Sequence, residues 1–310
     1  VKEYRLSLAV LTFGIGVAPF PVGASEPSPG QASVPAPVVA RDGQGRRTVT
    51  AVRLERPLLV DGLLEDRVYG LIPATGDFVQ QEPREGEPAT EKTETWVFFD
   101  EENFYVSARC WDSQPERMVA NEMRRDNFNI FFNENFGVIL DTFHDRRNGF
   151  VFQTNPLGAV YDGYVTDERD SNSDWNTVWV VKTGRFSGGW TVEMAIPFKS
   201  LRYRSPKESA EQIWGINFRR IVRWKNETSY LTDIPASFSF RGLNRVSSAA
   251  TLVGVEPPRT RNLELKPYAT AGAHTDREAE PPYANDLDAD AGFDVKYGVS
   301  RSLTFDFTYN

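Results

Sequence analysis

Residues 189–197, GWTVEMAIP, alternate strictly: Trp190, Val192, Met194 and Ile196 stand against Thr191, Glu193 and Ala195. A period of two puts successive side chains on opposite faces, so this stretch reads as a β-strand with one buried face and not as a helix. The same period recurs in Phe136, Val138 and Leu140, in Phe150 and Phe152, and in Trp214, Ile216 and Phe218. Between these runs lie turns bearing Asp, Asn and Gly. Short strands at this spacing predict an all-β chain built as an antiparallel β-sandwich, with residues 136–197 as its central module.

The rest of the chain is fitted around that module. A strand is expected over 48–55, then the Asp61-Gly62 turn, with a short helix or irregular segment near Tyr69. Residues 73–93, polar and rich in Pro and Gly, read as a long loop. TETWVFFDEENFYVSARCWDS predicts a hairpin about the turn Asp100 to Asn103. Pro115 to Asn121 has room for one or two helical turns, and Arg124 to Asn127 reads as a solvated edge. FKSLRY suggests a short helical turn, IWGINFRRIVRWKNETSYL another long strand, and SSAATLVGV the last strand before a Glu256-Pro257-Pro258 linker. The sandwich is thereby bounded at residues 47–256.

The chain has 310 residues, a formal net charge of −8 and no basic cluster, which excludes nucleic acid as a partner and adhesion to anionic lipid. A single cysteine, Cys110, rules out an internal disulfide; lying in register with Phe104, Val106 and Ala108, it reads as a buried, inert thiol. Two histidines rule out a His-rich metal centre. At the N-terminus Lys2 and Arg5 precede the apolar run LSLAVLTFGIGVAPF, followed by Val22-Gly23-Ala24. That is the pattern of a secretory signal over residues 1–24, and residues 25–46 read as a flexible leader.

Beyond residue 257 the pattern changes. In NLELKPYATAG, in DADAGFDVKY and in SLTFDFTY, small or apolar residues alternate with polar or acidic ones over eight to ten positions. One apolar and one polar face per strand suits a transmembrane barrel with lipid outside and water inside, and also an edge hairpin of a soluble sheet. Because the alternation stops in mid-pattern at Asn310, the chain is expected to be a truncated copy of a longer protein, with 257–310 the linker and first strands of an outer-membrane β-barrel.

Two places suggest a ligand. Opposite Phe104–Cys110 the hairpin strand carries Tyr105, Ser107, Arg109 and Trp111. This face is either half-covered, with Arg109 lying over aromatic rings or paired with an acid, or a platform on which a sugar ring stacks while Arg and Ser donate hydrogen bonds. Trp175 and Trp179, four apart on an expected strand, share a face and read first as core. The ligand-binding candidates are Trp111, Trp175, Arg109 and Tyr105. DGYVTDERDSNSD at 162–174 holds four aspartates and Glu168; a calcium could bind there, although the spacing is not that of an EF-hand and a solvated acidic loop is the default. Of the acids, only Glu193 sits in an apolar strand setting, so a pair of catalytic carboxyls is not evident.

LLVDGLLED, ETWVFFDEENFYVSARCWDS, FGVILDTFHDRRNGFVFQTNPLGAVYDG and WTVEMAIPFKSLRY, in that order, resemble the family 9 carbohydrate-binding module. More closely, they resemble its variant at the N-terminus of bacterial outer-membrane proteins, where a signal peptide and the module precede a barrel opening with strands like DAGFDVKYGVSRSLTFDFTYN. The resemblance implies a sandwich that binds polysaccharide or oligosaccharide by aromatic stacking, often with a structural calcium, tethered to its own C-terminal barrel after export. Two alternatives stay open. One is a periplasmic domain that gates or assembles the barrel without a sugar, and the other is a glycoside hydrolase, since one branch is appended to xylan-degrading enzymes.

Overall fold

The computed structural model describes residues 40–43, 45–169, 171–204, 211–258, 263–276, 278, 281, 283–298 and 304–309. The expected signal segment and residues 25–39 of the leader lie outside them. Two sheets pack face to face. At the middle of the first lie β13 (Gln212–Val222) and β7 (Asn135–Asp141). From β7 the sheet continues through β8 (Gly149–Thr154), β9 (Tyr161–Val165) and β10 (Ser171–Asn172). From β13 it continues through β15 (Ala250–Val255), β2 (Arg47–Thr50) and β1 (Ala40–Arg41). A branch of β14 (Glu227–Tyr230) and β4 (Val79–Glu82) also pairs with β13. The second sheet runs β11 (Val180–Phe186), β12 (Gly189–Pro197), β6 (Asn103–Trp111), β5 (Thr93–Phe99) and β3 (Val52–Arg53).

The alternation read from the sequence lands where it should. Phe104, Val106, Ala108 and Cys110 of β6 meet Trp190, Val192, Met194 and Ile196 of β12, and all are fully buried. Across the interior they face Phe136, Val138, Leu140, Phe150, Phe152, Trp214, Ile216 and Phe218 in one continuous core. Burial pushes the Cys110 thiol up to about 11, so it is an inert packing group. Trp179 is buried against Phe152, but Trp175 and Trp179 do not lie on one strand: β11 begins only at Val180, and both rings reach the core from an irregular approach.

Four boundaries differ from the sequence reading. Residues 48–55 are not one strand, because the chain changes sheets at Ala51: β2 lies parallel to β15 and β3 parallel to β5. The loop expected over 73–93 contains β4, which pairs with β14. Sheet pairing reaches back to Ala40 and Arg41, short of the expected start at 47. The acidic stretch 162–174 is in part sheet, and Asp162 is fully buried.

Both sheets are covered on their outer faces as well. Over the second sheet lies the segment 54–74 with the short helix α1 (Arg67–Leu71), where Leu58, Leu64 and Tyr69 pack on Trp96, Phe98 and Tyr105. One side chain clamps this cover. Glu193, 1% exposed, accepts hydrogen bonds from the backbone N–H of Asp61 (2.9 Å) and Gly62 (2.7 Å) through Oε2 and from the Tyr69 hydroxyl (2.6 Å) through Oε1. Gly62 can have no side chain here, since its φ is +88° and a Cβ would meet the Thr183 carbonyl carbon at 2.7 Å.

Beyond the sandwich, β16 (Leu263–Asp276), β17 (Tyr283–Gly298) and β18 (Thr304–Tyr309) form a separate antiparallel sheet of three strands. Its register aligns Leu265 with Val295 and Phe307, and Pro267 with Phe293 and Tyr309, on one apolar face. Lys266, Asp294 and Thr308 align on the other. Phe293, Phe305 and Phe307 remain 37%, 56% and 44% exposed and take no part in the sandwich core. The sheet is open, and no closed barrel is seen among the described residues.

Glu193→Ala strands two backbone donors and a tyrosine hydroxyl, and should lower the unfolding free energy by about 2–4 kcal/mol in denaturant titration. Burial, opposed by the hydrogen bonds from Tyr69, Gly62 and Asp61, holds this carboxyl above its ordinary value. Its contribution is therefore complete below the unfolded value and lost as pH rises through the folded one. Glu193→Gln should accordingly show a smaller fall in stability than the natural chain as pH rises above the ordinary carboxylate range, about 4.3.

Candidate functional site

The four residues singled out in the sequence are not brought together. Tyr105 is buried beneath the 54–74 cover and donates its hydroxyl to Asp100 at 2.6 Å, so it cannot meet a ligand; covering by a distant segment is what the strand pattern could not show. Trp175, half-buried, packs on Phe150 at 5.0 Å and Phe152 at 6.2 Å as part of the inter-sheet core. Only Arg109 and Trp111 reach the surface as neighbours. Arg109 lies over Trp96 (5.6 Å) and Trp111 (6.0 Å) and pairs with Glu94 (3.6 Å). Trp111 donates Nε1 to the same carboxylate at 2.9 Å and meets Phe186 edge-on at 5.1 Å. Burial would raise Glu94, but Lys92, Trp111 and Arg109 together hold it below its ordinary value. Beside them runs a groove of about 370 Å³ lined also by Arg185, Glu65 and Thr191. Its aromatic ring and Arg109 already have partners.

The outer face of the first sheet is built differently. Across β13, β7, β8 and β9 the register aligns Arg219, Gly137, Gln153 and Tyr161 in one row. Gly137 leaves a gap in the row that neighbouring side chains fill: a Cβ there would lie 3.0 Å from Gln153 Cγ and 3.1 Å from Leu243 Cδ2. Across that gap the Arg219 guanidinium reaches Gln153 Oε1, and it also donates to Asn135 Oδ1 (2.9 Å) and to the Phe240 carbonyl (3.1 Å). The result is a polar floor of guanidinium, amides and the Tyr161 ring within an otherwise tightly packed face.

Phenylalanines roof this floor. Phe131 covers the Arg219 guanidinium at 5.0 Å and packs on Tyr161 at 5.5 Å. Phe240 meets Phe131 at 6.3 Å and Phe128 at 6.0 Å. Phe128, Phe132 and Phe240 are 53%, 52% and 49% exposed, a concentration of large apolar surface unlike scattered single exposures. None of the roof stands on a strand. Phe128–Phe132 is one 3₁₀ segment, and Phe240 lies in a second, Ala236–Asn244, broken at Ser239 with φ 46°. Asn133 and Asn155 fix the first segment. Asn133 Oδ1 accepts from Asn121 N (2.7 Å), Glu122 N (3.0 Å) and Asn155 Nδ2 (3.1 Å), while its Nδ2 donates to the Asn129 carbonyl (3.1 Å).

Buried acids are more numerous than the sequence suggested. Besides Glu193, burial raises Asp141, Asp162 and Glu134, the last to about 7 against the opposing pull of Arg220. Each is engaged structurally. Asp162 accepts from Trp179 Nε1 (3.1 Å) and Thr177 N (2.9 Å) and pairs with Arg125, which is thus an anchor and not the solvated edge expected. Glu168 is held by Arg245 and the Ser247 N–H. Among the described residues no three His, Cys, Asp or Glu side chains converge on one point. Asn133→Ala would leave three donors stranded and free the 121–133 segment, with an expected loss of about 2–4 kcal/mol in denaturant unfolding and faster proteolytic cleavage within that segment.

Comparison with known proteins gives a consistent picture. A crystal structure from Bacteroides uniformis superposes with a TM-score of 0.52 at 10% identity, covering 67% of this chain and 99% of that one. A family 9 carbohydrate-binding module of Caldicellulosiruptor kristjanssonii in complex with glucose gives a TM-score of 0.46 at 15% identity, over 66% of this chain and 94% of that one. The first of these likenesses speaks to the fold alone. No curated protein matches the sequence. The model of the family described as carbohydrate family 9 binding domain-like matches residues 60–230, more than half of the chain. On that match, laid over a sandwich of the expected architecture, the chain belongs to the carbohydrate family 9 binding domain-like family.

Proposed function

We propose that the chain is a non-catalytic carbohydrate-binding domain whose ligand lies on the outer face of the first sheet. The observation that carries this reading is the pairing of an aromatic roof (Phe128, Phe131, Phe240) with a hydrogen-bonding floor (Arg219, Asn135, Gln153). A pyranose ring has apolar C–H faces and a rim of hydroxyls, and such a site matches both. Membership of the family is the supporting prior, and the site supplies the chemistry. Catalysis is not part of the proposal. The groups that act on Arg219 are amides, a carbonyl and tyrosines, and hydrolysis of a glycoside would require two carboxyls flanking the same cleft. Calcium enters no step.

The structure places Phe131 and Phe240 in mutual contact, so a sugar must part them to enter. That contact is also what favours the alternative, a covering layer with no ligand. Screening of the chain against plant and bacterial glycans, followed by calorimetric titration, separates the two. Phe240→Ala and Phe131→Ala are each expected to weaken binding about tenfold, the scale of one lost stacking ring, while Trp111→Ala leaves it unchanged. Binding lost with Trp111 and kept without Phe240 would move the site to the other sheet. A folded chain that binds no glycan would leave only the covering role.

The wider setting is also part of the proposal: an exported domain tethered to an outer-membrane β-barrel, with β16, β17 and β18 as its first strands. Long antiparallel strands with one apolar face, on which Leu265, Phe293, Phe305 and Phe307 are exposed, support it. In fractionated source cells, antibody to residues 40–258 should find the chain in the outer-membrane fraction after an alkaline wash; recovery with soluble proteins would remove the tether.

A further inference from the structure

We propose that the carbohydrate bound on this face carries a carboxylate, and that Arg219 is the residue that selects for it. This rests on the reading above, that the aromatic roof and polar floor hold a sugar. The argument starts from two adjacent arginines of β13, Arg219 and Arg220, 1% and 0% exposed. Arg220 points into the sandwich and has its counter-charge there: Glu134 lies at 3.3 Å, and the Trp190 ring at 5.0 Å. Arg219 points the other way, and among the described residues its guanidinium reaches neutral acceptors, Asn135 Oδ1, Gln153 Oε1 and the Phe240 carbonyl, with the Tyr230 hydroxyl beside them. The Phe131 ring face offsets part of its charge.

The titratable groups that act on Arg219 are Tyr230 and Tyr161, and burial raises both, Tyr230 to about 12, so they are neutral hydroxyls at ordinary pH. The carboxylates of this region bear on those tyrosines instead: Glu82 on Tyr230, and Asp126 and Asp162 on Tyr161. A guanidinium does not lose its proton in a protein, so burial cannot be relieved by neutralisation. A buried cation among dipoles alone is costly, and the cost falls when an anion arrives.

Two further donors define the shape of that anion. Arg219 Nε and Asn135 Nδ2 are buried and have no hydrogen-bond partner among the described residues. A neutral sugar could satisfy them with hydroxyls but would leave the charge uncompensated. A carboxylate supplies both: two coplanar acceptor oxygens suited to the guanidinium fork, and one negative charge. The Phe240 carbonyl is the acceptor that an entering carboxylate would replace. A uronic acid residue, with a pyranose body for the phenylalanines and a carboxylate for Arg219, meets every one of these requirements.

The test compares the methyl glycoside of glucuronic acid, whose carboxylate is free, with the methyl ester of the same glycoside, two probes of nearly the same shape that differ in charge, by titration into the whole chain. The uronate is expected to bind at least tenfold more tightly than the ester. Arg219→Gln should bring the ratio close to one while the affinity for the ester changes less than threefold. Should that variant fail to fold, the ratio measured on the natural chain and on Phe240→Ala decides the matter, since Phe240→Ala must weaken uronate binding if the two share a site. Equal affinity for uronate and ester overturns the selection and leaves the carbohydrate reading standing on neutral glycans. A preference that survives Phe240→Ala undiminished places the charge contact elsewhere and overturns the assignment to Arg219. No binding of either probe or of any neutral glycan overturns both.

Discussion

Both sheets of this sandwich are buried on two faces, and that constraint decides what its strands can carry. A strand covered on one side can send its polar residues to water. A strand covered on both cannot, so each polar side chain it retains must be satisfied inside the protein or cost stability. The covering segments 54–74, 127–133 and 236–246 have little backbone pairing with the sheets beneath them. They are attached through such polar side chains: Glu193 of β12 holds Asp61, Gly62 and Tyr69, and Arg219 of β13 holds the carbonyl of Phe240. Asp162 of β9 does the same for Arg125 and Thr177. A charge in mid-strand, apparently misplaced, is therefore the rivet of an outer layer.

This explains which parts of the architecture could be read from the chain. The inner faces were legible because alternation of period two reports membership of a face directly: Phe104 to Cys110, Trp190 to Ile196 and Trp214 to Phe218 all lie in the core. What covers the opposite face is a question about distant segments, and no local period answers it. Hence Tyr105 and Trp111, three pleat repeats apart on one face, have different fates: the first is under Leu58 and Tyr69, the second at the end of the strand beyond the cover. The same limit hid β4, an edge strand of four residues inside a polar stretch.

The aromatic roof escaped for a different reason. NFNIFFNENF has no strand or helix period, since Phe128 to Phe132 forms a single 3₁₀ segment held by asparagines. Its signal was of another kind: three phenylalanines within five residues, set among asparagines, where nothing in the local pattern required a core. Two consecutive arginines in FRRIV were a second signal. One of any two neighbours on a strand must point to each face, so at least one had to be buried against a layer not yet identified.

Floor and roof divide the work of such a site between rigidity and access. The floor stands on four strands locked in register, so Arg219, Gln153 and Tyr161 keep their spacing whatever the loops do. The roof stands on two 3₁₀ segments that meet through Phe240, which packs on Phe131 and on Phe128. An aromatic pair of this kind contributes about 0.5–1.5 kcal/mol beyond its area burial. If binding requires that pair to separate, the open form is the minor one and apparent affinity falls by the same free energy, roughly two- to twelvefold. The same rings would then recover the loss by stacking on the sugar that parts them. On the proposed reading the closed contact would set a threshold that a ligand engaging both rings and the guanidinium overcomes and a weak apolar binder does not.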